Sequence, residues 1–355
     1  MKIEVSTVET RKPIPTDDLA LGFGRVFTDH MFRMEFRDGD WRNPRIEPAS
    51  AIALHPAAIV LHYAQEVFEG MKAYRGANDG IFLFRPDRNI ARMNRSCRRL
   101  MMPEIPPDLH LDAIKQLVLL ERDWIPRTEG CALYIRPTMI ATDPFLGVRP
   151  SKEHLFYIIV GPVAAYYPEG FNPVSIYATD QYVRAVRGGV GDAKTGGNYA
   201  ASLAAQAEAI AKGYTQVLWL DALEHKQIEE VGTMNIMFKI DGEVITSPLT
   251  GSILPGVTRE SVLQLLRDWG QKVTERTITI DEVIAAANAG TLEEVFGTGT
   301  AAIISPVKEI AYTDHKIRVG DGDTGPLAQK LYDTLLAIQY GKGEDPHHWC
   351  MRIDG

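Results

Sequence analysis

Lys194 lies in RGGVGDAKTGGNY (187–199), flanked by five glycines and otherwise by small or short polar residues. A solvated lysine needs no such surroundings. An amine that bonds covalently to a flat aldehyde cofactor does, because bulky neighbours would block the ring and glycine lets the backbone come close. Lys194 is therefore a candidate Schiff-base lysine of the kind that holds pyridoxal 5'-phosphate. The alternative is a flexible Gly-rich loop with an incidental lysine.

A pyridoxal phosphate site also needs an anion cradle and an acid beside the pyridine nitrogen. In ILPGVTRESVLQLLRDWG, a Pro-Gly pair opens an amphipathic helix whose first amides, at Val257 and Thr258, suit an anion. FGTGTAAIISP adds the Thr300 hydroxyl and a Gly-Thr-Gly turn. Arg88, Arg92, Arg95 and Arg99 recur on adjoining turns of one helix. A guanidinium fork matches phosphate oxygens, but spacing does not say which of the four turns inward. In HKQIEEVGTMN, Glu229 and Glu230 are adjacent, so an extended segment sends one to the cofactor and the other to solvent.

The elements that must position these residues are short and mixed. Asp38-Gly39 and Asp241-Gly242 each sit between strand-like runs and predict hairpins. GIFLFRP predicts a strand, followed by a helix with Ile90, Met93, Cys97, Leu100 and Met101 on one face. A helix is expected from Leu111 to Trp124, and strands at ALYIRPTMI, LFYIIVGPV, VSIYAT and QVLWLD. An Ala-rich helix is expected from Tyr199 to Lys212. Strands and helices without strict alternation point to α/β (α+β) architecture rather than one Rossmann sheet. At 355 residues the chain suits two domains. The aperiodic AAYYPEGFNP marks the linker, giving an N-terminal domain over 1–164, a linker over 165–174 and a C-terminal domain over 175–355.

A net charge of −8 without a basic run argues against nucleic acid as a partner. No apolar run reaches the ~18–20 residues of a membrane span, and the first residues lack the apolar core of a signal peptide. The three cysteines, Cys97, Cys131 and Cys350, show no metal-ligand spacing and suit a reducing cytoplasm.

Taken together, FTDHM, LHYAQEVFEGMKAYRG, LYIRP, LGVRP, YVRAVRGGVGDAKTGGNYAASL, EVGTMN, LPGVTRE and FGTGTAAIISPV resemble the branched-chain amino acid aminotransferases, fold-type IV pyridoxal phosphate enzymes, over nearly the whole chain. The resemblance implies a small N-terminal and a larger C-terminal domain with the cofactor between them. It implies that Lys194 holds the cofactor and shuttles the proton, and it selects Glu230 for the pyridine nitrogen. Arg92, Val257, Thr258 and Thr300 match phosphate ligands, and Tyr199 matches the partner of the phenolic oxygen. Tyr134 and the backbone at Thr300-Ala301 would meet the substrate α-carboxylate, and Arg136 the distal carboxylate of glutamate. Phe23 and Tyr63 would line the side-chain pocket, closed by Leu146 and Val148 of the neighbouring subunit, so that a homodimer, or a larger oligomer built from dimers, is expected. Phe23 and Tyr63 also read as core aromatics, Arg136 as part of a structural ion pair and Arg184 as a supporting residue. Some members carry a CxxC after the GTGTA turn; Ala302 and Ser305 stand there here, so that thiol switch is absent. The implied reaction exchanges the amino group between L-leucine, L-isoleucine or L-valine and 2-oxoglutarate, yielding L-glutamate. Within the same fold the alternatives are a D-amino acid aminotransferase or an aminodeoxychorismate lyase; in another class, a non-catalytic binding protein.

Overall fold

The computed structural model describes residues 1–164 and 171–354. Of the expected linker, residues 165–170 lie outside the described residues. The chain divides into two compact units: Met1–Tyr166 with Ala193–Gly196 and Leu336–Gly355, and Tyr167–Asp192 with Gly197–Leu335.

The first unit is built on strands β1 (Glu4–Val5), β2 (His30–Arg37), β3 (Asp40–Pro48), β4 (Glu66–Phe68), β5 (Met71–Arg75), β6 (Ile81–Phe84), β7 (Ala132–Ala141) and β8 (His154–Val163). The sheet order is β1-β3-β2-β8-β7-β5-β6, with β4 also on β7. Helices α1 (Ile59–Tyr63), α2 (Pro86–Arg99) and α3 (Pro107–Leu120) belong to the same unit. Ile90, Met93 and Cys97 of α2 and Ala113, Ile114 and Leu117 of α3 pack with Phe32, Met34, Leu83, Ile135 and Phe156 of the sheet in one core. The α2 apolar face stops earlier than expected. The helix ends at Arg99, and Met101, at φ 55°, is 67% exposed. The second helix starts earlier than expected because Pro107 takes its first turn, where no amide is needed.

The second unit contains β9 (Val174–Ala178), β10 (Gln216–Leu220), β11 (Ile228–Val231), β12 (Met234–Ile240), β13 (Glu243–Thr246), β14 (Lys272–Glu275), β15 (Leu292–Gly299), β16 (Ile303–Tyr312) and β17 (His315–Arg318). Its order is β11-β10-β9-β16-β15-β12-β13-β14, and the extra pairing of β11 with β12 closes a ring of strands. Within the ring β11-β10-β9-β16-β15-β12 every strand is paired on both sides, and β14 and β17 remain as edges. The expected 199–212 helix is two pieces, α4 (Gly196–Ala200) and α5 (Leu203–Ala211); Ala205 and Ala209 of α5 pack on Val217 and Trp219. Helices α6 (Val257–Asp268) and α7 (Ile280–Asn288) follow, and α8 (Pro326–Gln339) precedes the last strand.

Both Asp-Gly hairpins form, with positive φ at Asp38, Gly39, Asp241 and Gly242, as a two-residue turn requires. The expectation that 175–355 forms a single unit is corrected in two places: Ala193–Gly196, with Lys194, and the segment from Leu336 onward group with the first unit. Strand β18 (Cys350–Arg352) pairs with β6, and the Tyr340 ring lies 5.1 Å from that of Tyr74, which joins this tail to the first unit. Among the described residues no helix is long and apolar enough to cross a membrane, and no His, Cys, Asp and Glu cluster could hold a metal ion.

Candidate active site

In the first unit, Lys194 is half-buried and held by its backbone. Its amide donates to Ser96 Oγ of α2 (2.9 Å), and its carbonyl accepts from the Phe68 amide of β4 (3.0 Å). Next to it a Cβ on Gly196 would stand 1.8 Å from Glu66 Oε1, so a side chain there would have to displace the Glu66 carboxylate. Lys194 Nζ lies 4.8 Å from the centroid of the Phe68 ring, and the Arg136 guanidinium lies 4.8 Å from the same centroid. Arg136 Nη2 donates to the Tyr134 hydroxyl (3.1 Å), and Phe23 meets the Tyr134 ring edge-on at 4.9 Å. Arg136 Nε is buried without a hydrogen-bond partner among the described residues. Burial pushes the Glu66 carboxyl up, against the pull of the Gly196 amide and Arg136.

Of the five arginines on α2, only Arg92 is buried; Arg88, Arg95, Arg98 and Arg99 are exposed. Arg92 meets Glu69 through two contacts, Nε to Oε1 at 2.7 Å and Nη2 to Oε2 at 2.9 Å. Tyr63 is 43% exposed, and its hydroxyl donates to the Leu146 carbonyl of the same chain. The loop beyond it leaves Leu146 and Val148 60% and 85% exposed.

In the second unit, sheet register does the positioning. Glu230 of β11 stands opposite Asn235 of β12, which stands opposite Thr298 of β15, so the three form a row across the ring. Asn235 Nδ2 donates to Glu230 Oε1 (2.9 Å) and to the Leu254 carbonyl (2.9 Å). Arg184 Nε lies 2.5 Å from Glu230 Oε2, and Arg184 Nη2 donates to the Gly191 and Ser252 carbonyls. Glu230 thus lines a recess with Arg184, Asn198, Tyr199, Ser202, Gly232, Thr233 and Leu254. The chain leaving Leu254 runs into α6, whose first residues are Val257 and Thr258, both buried, and no side chain caps its N-terminus at Gly256. A Cβ at Gly256 would stand 2.1 Å from Asn235 Oδ1, so one asparagine packs against both the acid and the start of the helix. Thr300 and Ala301 follow β15 directly, two and three residues beyond the row, and are half-buried.

The expected solvent exposure of the second glutamate is not observed. Glu229 is 8% exposed and accepts from Ser252 Oγ, because β11 is an inner strand of a closed ring. Burial pushes its carboxyl up, while the Ser252 bond pulls it down.

Lys194, Tyr134, Arg136, Phe23 and Arg92 thus gather in the first unit, with Tyr63, Leu146 and Val148 on its loops. Glu230, Tyr199, Val257, Thr258, Thr300 and Ala301 belong to the second. Sequence reasoning missed Glu69 and Asn235. The spacing of Glu230 and Asn235 about a Gly-Thr turn in EVGTMN is the signal that could have found the cross-strand pair; for Glu69, inside FEG, no spacing rule was available. The parts fit a phosphorylated pyridine aldehyde: an amine on an aromatic face, a buried carboxylate in a recess and an uncapped helix start.

Residues 66–310 match the amino-transferase class IV family. The chain is 53% identical over 352 residues to branched-chain-amino-acid aminotransferase 2 of Bacillus subtilis (strain 168), covering 99% of this chain and 97% of that one. It is 49% identical over 330 residues to a probable branched-chain-amino-acid aminotransferase of Streptomyces coelicolor, covering 92% and 91%. Among solved structures it is similar to the branched-chain amino acid aminotransferase of Escherichia coli, at TM-score 0.75 and 25% identity over 92% of this chain and 99% of that one. It is also similar to the T.th. branched-chain amino acid aminotransferase complexed with N-(5'-phosphopyridoxyl)-L-glutamate, at TM-score 0.74 and 27% identity over 90% and 98%. With a family model over most of its length and half its residues shared with relatives across almost the full chain, the protein belongs to the class IV amino-transferases, within the fold-type IV branched-chain amino acid aminotransferases that use pyridoxal 5'-phosphate.

Proposed function

We propose that the chain catalyses ping-pong transfer of the amino group between L-leucine, L-isoleucine or L-valine and 2-oxoglutarate, giving branched 2-oxo acids and L-glutamate. The observation that carries this reading is the shared Phe68 face: an amine and a guanidinium stand 4.8 Å from one ring centroid, beside Tyr134 and Phe23. An apolar chain can pack on the aromatic surfaces, and a carboxylate can take the Arg136 guanidinium beside the Tyr134 hydroxyl. One pocket can therefore serve both substrates.

Pyridoxal phosphate, when bound, supplies the electron sink for the α-carbon. Lys194 holds it covalently and then carries the α-proton. Glu230, fixed by Asn235 and Arg184, keeps the ring nitrogen protonated. Val257, Thr258, Thr300 and Arg92 hold the phosphate, and Tyr199 donates to the phenolic oxygen. Tyr134 and the backbone at Thr300-Ala301 take the α-carboxylate, and Arg136 the distal one. Phe23 and Tyr63 line the side-chain pocket. The exposed Leu146 and Val148 close the pocket of a second copy, which makes a homodimer the smallest complete enzyme. The linker between the two domains falls within 165–174, the first of the points at which the chain passes from one unit to the other. The protein works in the cytoplasm, a reading supported by two buried free thiols, Cys97 and Cys131. Relatives at about half identity favour this activity over D-amino acid transfer, lyase chemistry or a binding-only role.

Borohydride reduction followed by peptide mapping tests the reading directly. The expected product carries the cofactor on Lys194, and Lys194→Ala is expected to lose both the visible absorbance and turnover. A label on another lysine, or an active Lys194→Ala variant, would overturn it. Faster amino transfer from D-alanine than from L-leucine would overturn the substrate assignment alone.

A further inference from the structure

Glu69 is fully buried on the segment joining β4 and β5, and a lone carboxylate there would be strongly destabilising. Four contacts satisfy it. Arg92 supplies two, Asn89 Nδ2 donates to Oε2 at 2.9 Å, and the Gly70 amide donates to Oε2 at 3.2 Å. Asn89 and Arg92 are one turn apart on α2, so the helix presents both donors on one face. The same neighbourhood fixes Lys194. Phe68, the residue before Glu69, bonds the Lys194 carbonyl, and Ser96, one turn after Arg92, accepts from the Lys194 amide and donates to the Arg92 carbonyl. Burial pushes the Glu69 carboxyl up, but Arg92, Lys194 and Asn89 outweigh it and hold it below the ordinary carboxylate range.

A buried ion pair is a weak source of stability, because desolvation cancels most of the attraction and an apolar pair of similar volume often does as well. What the fork geometry supplies is direction. With its Nε–Nη2 edge gripped by Glu69, the guanidinium can meet a phosphate only through Nη1 or the outer hydrogen of Nη2. We infer that Glu69 is a positioning residue of the cofactor site, acting through Arg92 to set which edge of the guanidinium meets the cofactor phosphate. The inference rests on the pyridoxal phosphate reading above and assigns a role to a residue that does not itself touch the cofactor.

The sign of the effect separates positioning from charge. If Glu69 only offset the charge of Arg92, its neutral replacement would strengthen phosphate binding. If it positions Arg92, replacement weakens it. The measurement is the ratio of dissociation constants for pyridoxal and pyridoxal 5'-phosphate, by absorbance titration of the apoprotein, in wild type, Glu69→Gln and Glu69→Asp. This ratio isolates the phosphate, because a general folding defect weakens both ligands alike. Positioning predicts a ratio lowered about tenfold in Glu69→Gln. It predicts a smaller loss in Glu69→Asp, which keeps the charge but shortens the reach. A ratio unchanged or raised in Glu69→Gln, or a wild-type ratio in Glu69→Asp, would overturn it; the Asp variant decides if the Gln variant does not fold. Wild type that gains nothing from the phosphate would instead sink the reading of the site, not this inference.

Discussion

The two units hold their functional groups by different means. In the first, Arg92 and Arg136 are long cations steered by other side chains: Arg92 by Glu69, Arg136 by Tyr134 and Phe68, with Glu66 nearby. In the second, Glu230, Asn235 and Thr298 share a row fixed by backbone pairing across a closed ring, and α6 brings its amides through main-chain geometry. A long side chain has rotamer freedom that its partner must suppress, at roughly 0.5–2 kcal/mol for such residues. A strand register has none to lose, because slipping it by one residue would turn every side chain to the other face. The first arrangement can be retuned by single substitutions; the second stays in place and fails only when the functional group itself is removed.

Glu230→Gln gives the largest expected effect and tests the rigid half. The amide keeps the shape and one acceptor for Asn235 but loses the charge beside Arg184. The row should stay intact while kcat falls by about 10³-fold, within the range of a lost acid–base group. The check is kcat of the folded variant, since loss of the buried Arg184 pair lowers the unfolding midpoint by itself: an unchanged kcat would mean that the carboxylate serves only as a structural partner of Arg184 and would erase the contrast. Arg136→Gln tests the adjustable half and should be more selective. KM for 2-oxoglutarate should rise by ~10–100-fold, with the KM for L-leucine nearly unchanged, since loss of a charge-assisted carboxylate contact is worth about 1.5–3 kcal/mol. Equal losses for both substrates would assign Arg136 to scaffolding through its Phe68 and Tyr134 contacts.

The same contrast explains what could be read from the sequence. Both Asp-Gly hairpins were legible because the turn chemistry is local. Lys194 and the α6 amides were legible because glycines and a Pro-Gly helix start leave a mark along the chain. Which of Arg88, Arg92, Arg95 and Arg99 turns inward was not, because Glu69 selects it from a distant segment. Glu229 was misplaced because period-two alternation assumes one wet face, and ring closure buries both faces of β11. The return of 336–355 to the first unit depends on the pairing of β18 with β6, and three residues leave no periodicity to detect.

The smallest expected effect concerns acid stability and separates the units by their cores. His110 of α3 and His154 of β8 are buried in the first unit with no hydrogen-bond partner at either ring nitrogen among the described residues. The His110 ring packs edge-on to Phe156 at 4.9 Å, and His154 lies 6.1 Å from Phe36. Burial holds His110 down at about 3 and His154 at about 4, with Glu69 and Asp143 respectively pulling the other way. Each ring stays neutral when folded and takes a proton when unfolded below its ordinary value of about 6.5. The unfolded chain therefore binds more protons, and stability falls as the pH drops from about 6.5 toward 4. At pH 5 each histidine should cost the fold about 2 kcal/mol relative to neutral pH. Because both lie in the first unit, its amides should lose hydrogen-exchange protection on mild acidification before those of the β11–β12 ring. His110→Phe, which keeps a flat ring against Phe156, should remove about half of that acid sensitivity. If protection instead falls evenly across both units, or the substitution leaves the acid slope unchanged, acid stability is governed by surface carboxylates, and the difference between the two units is confined to how they hold their functional groups.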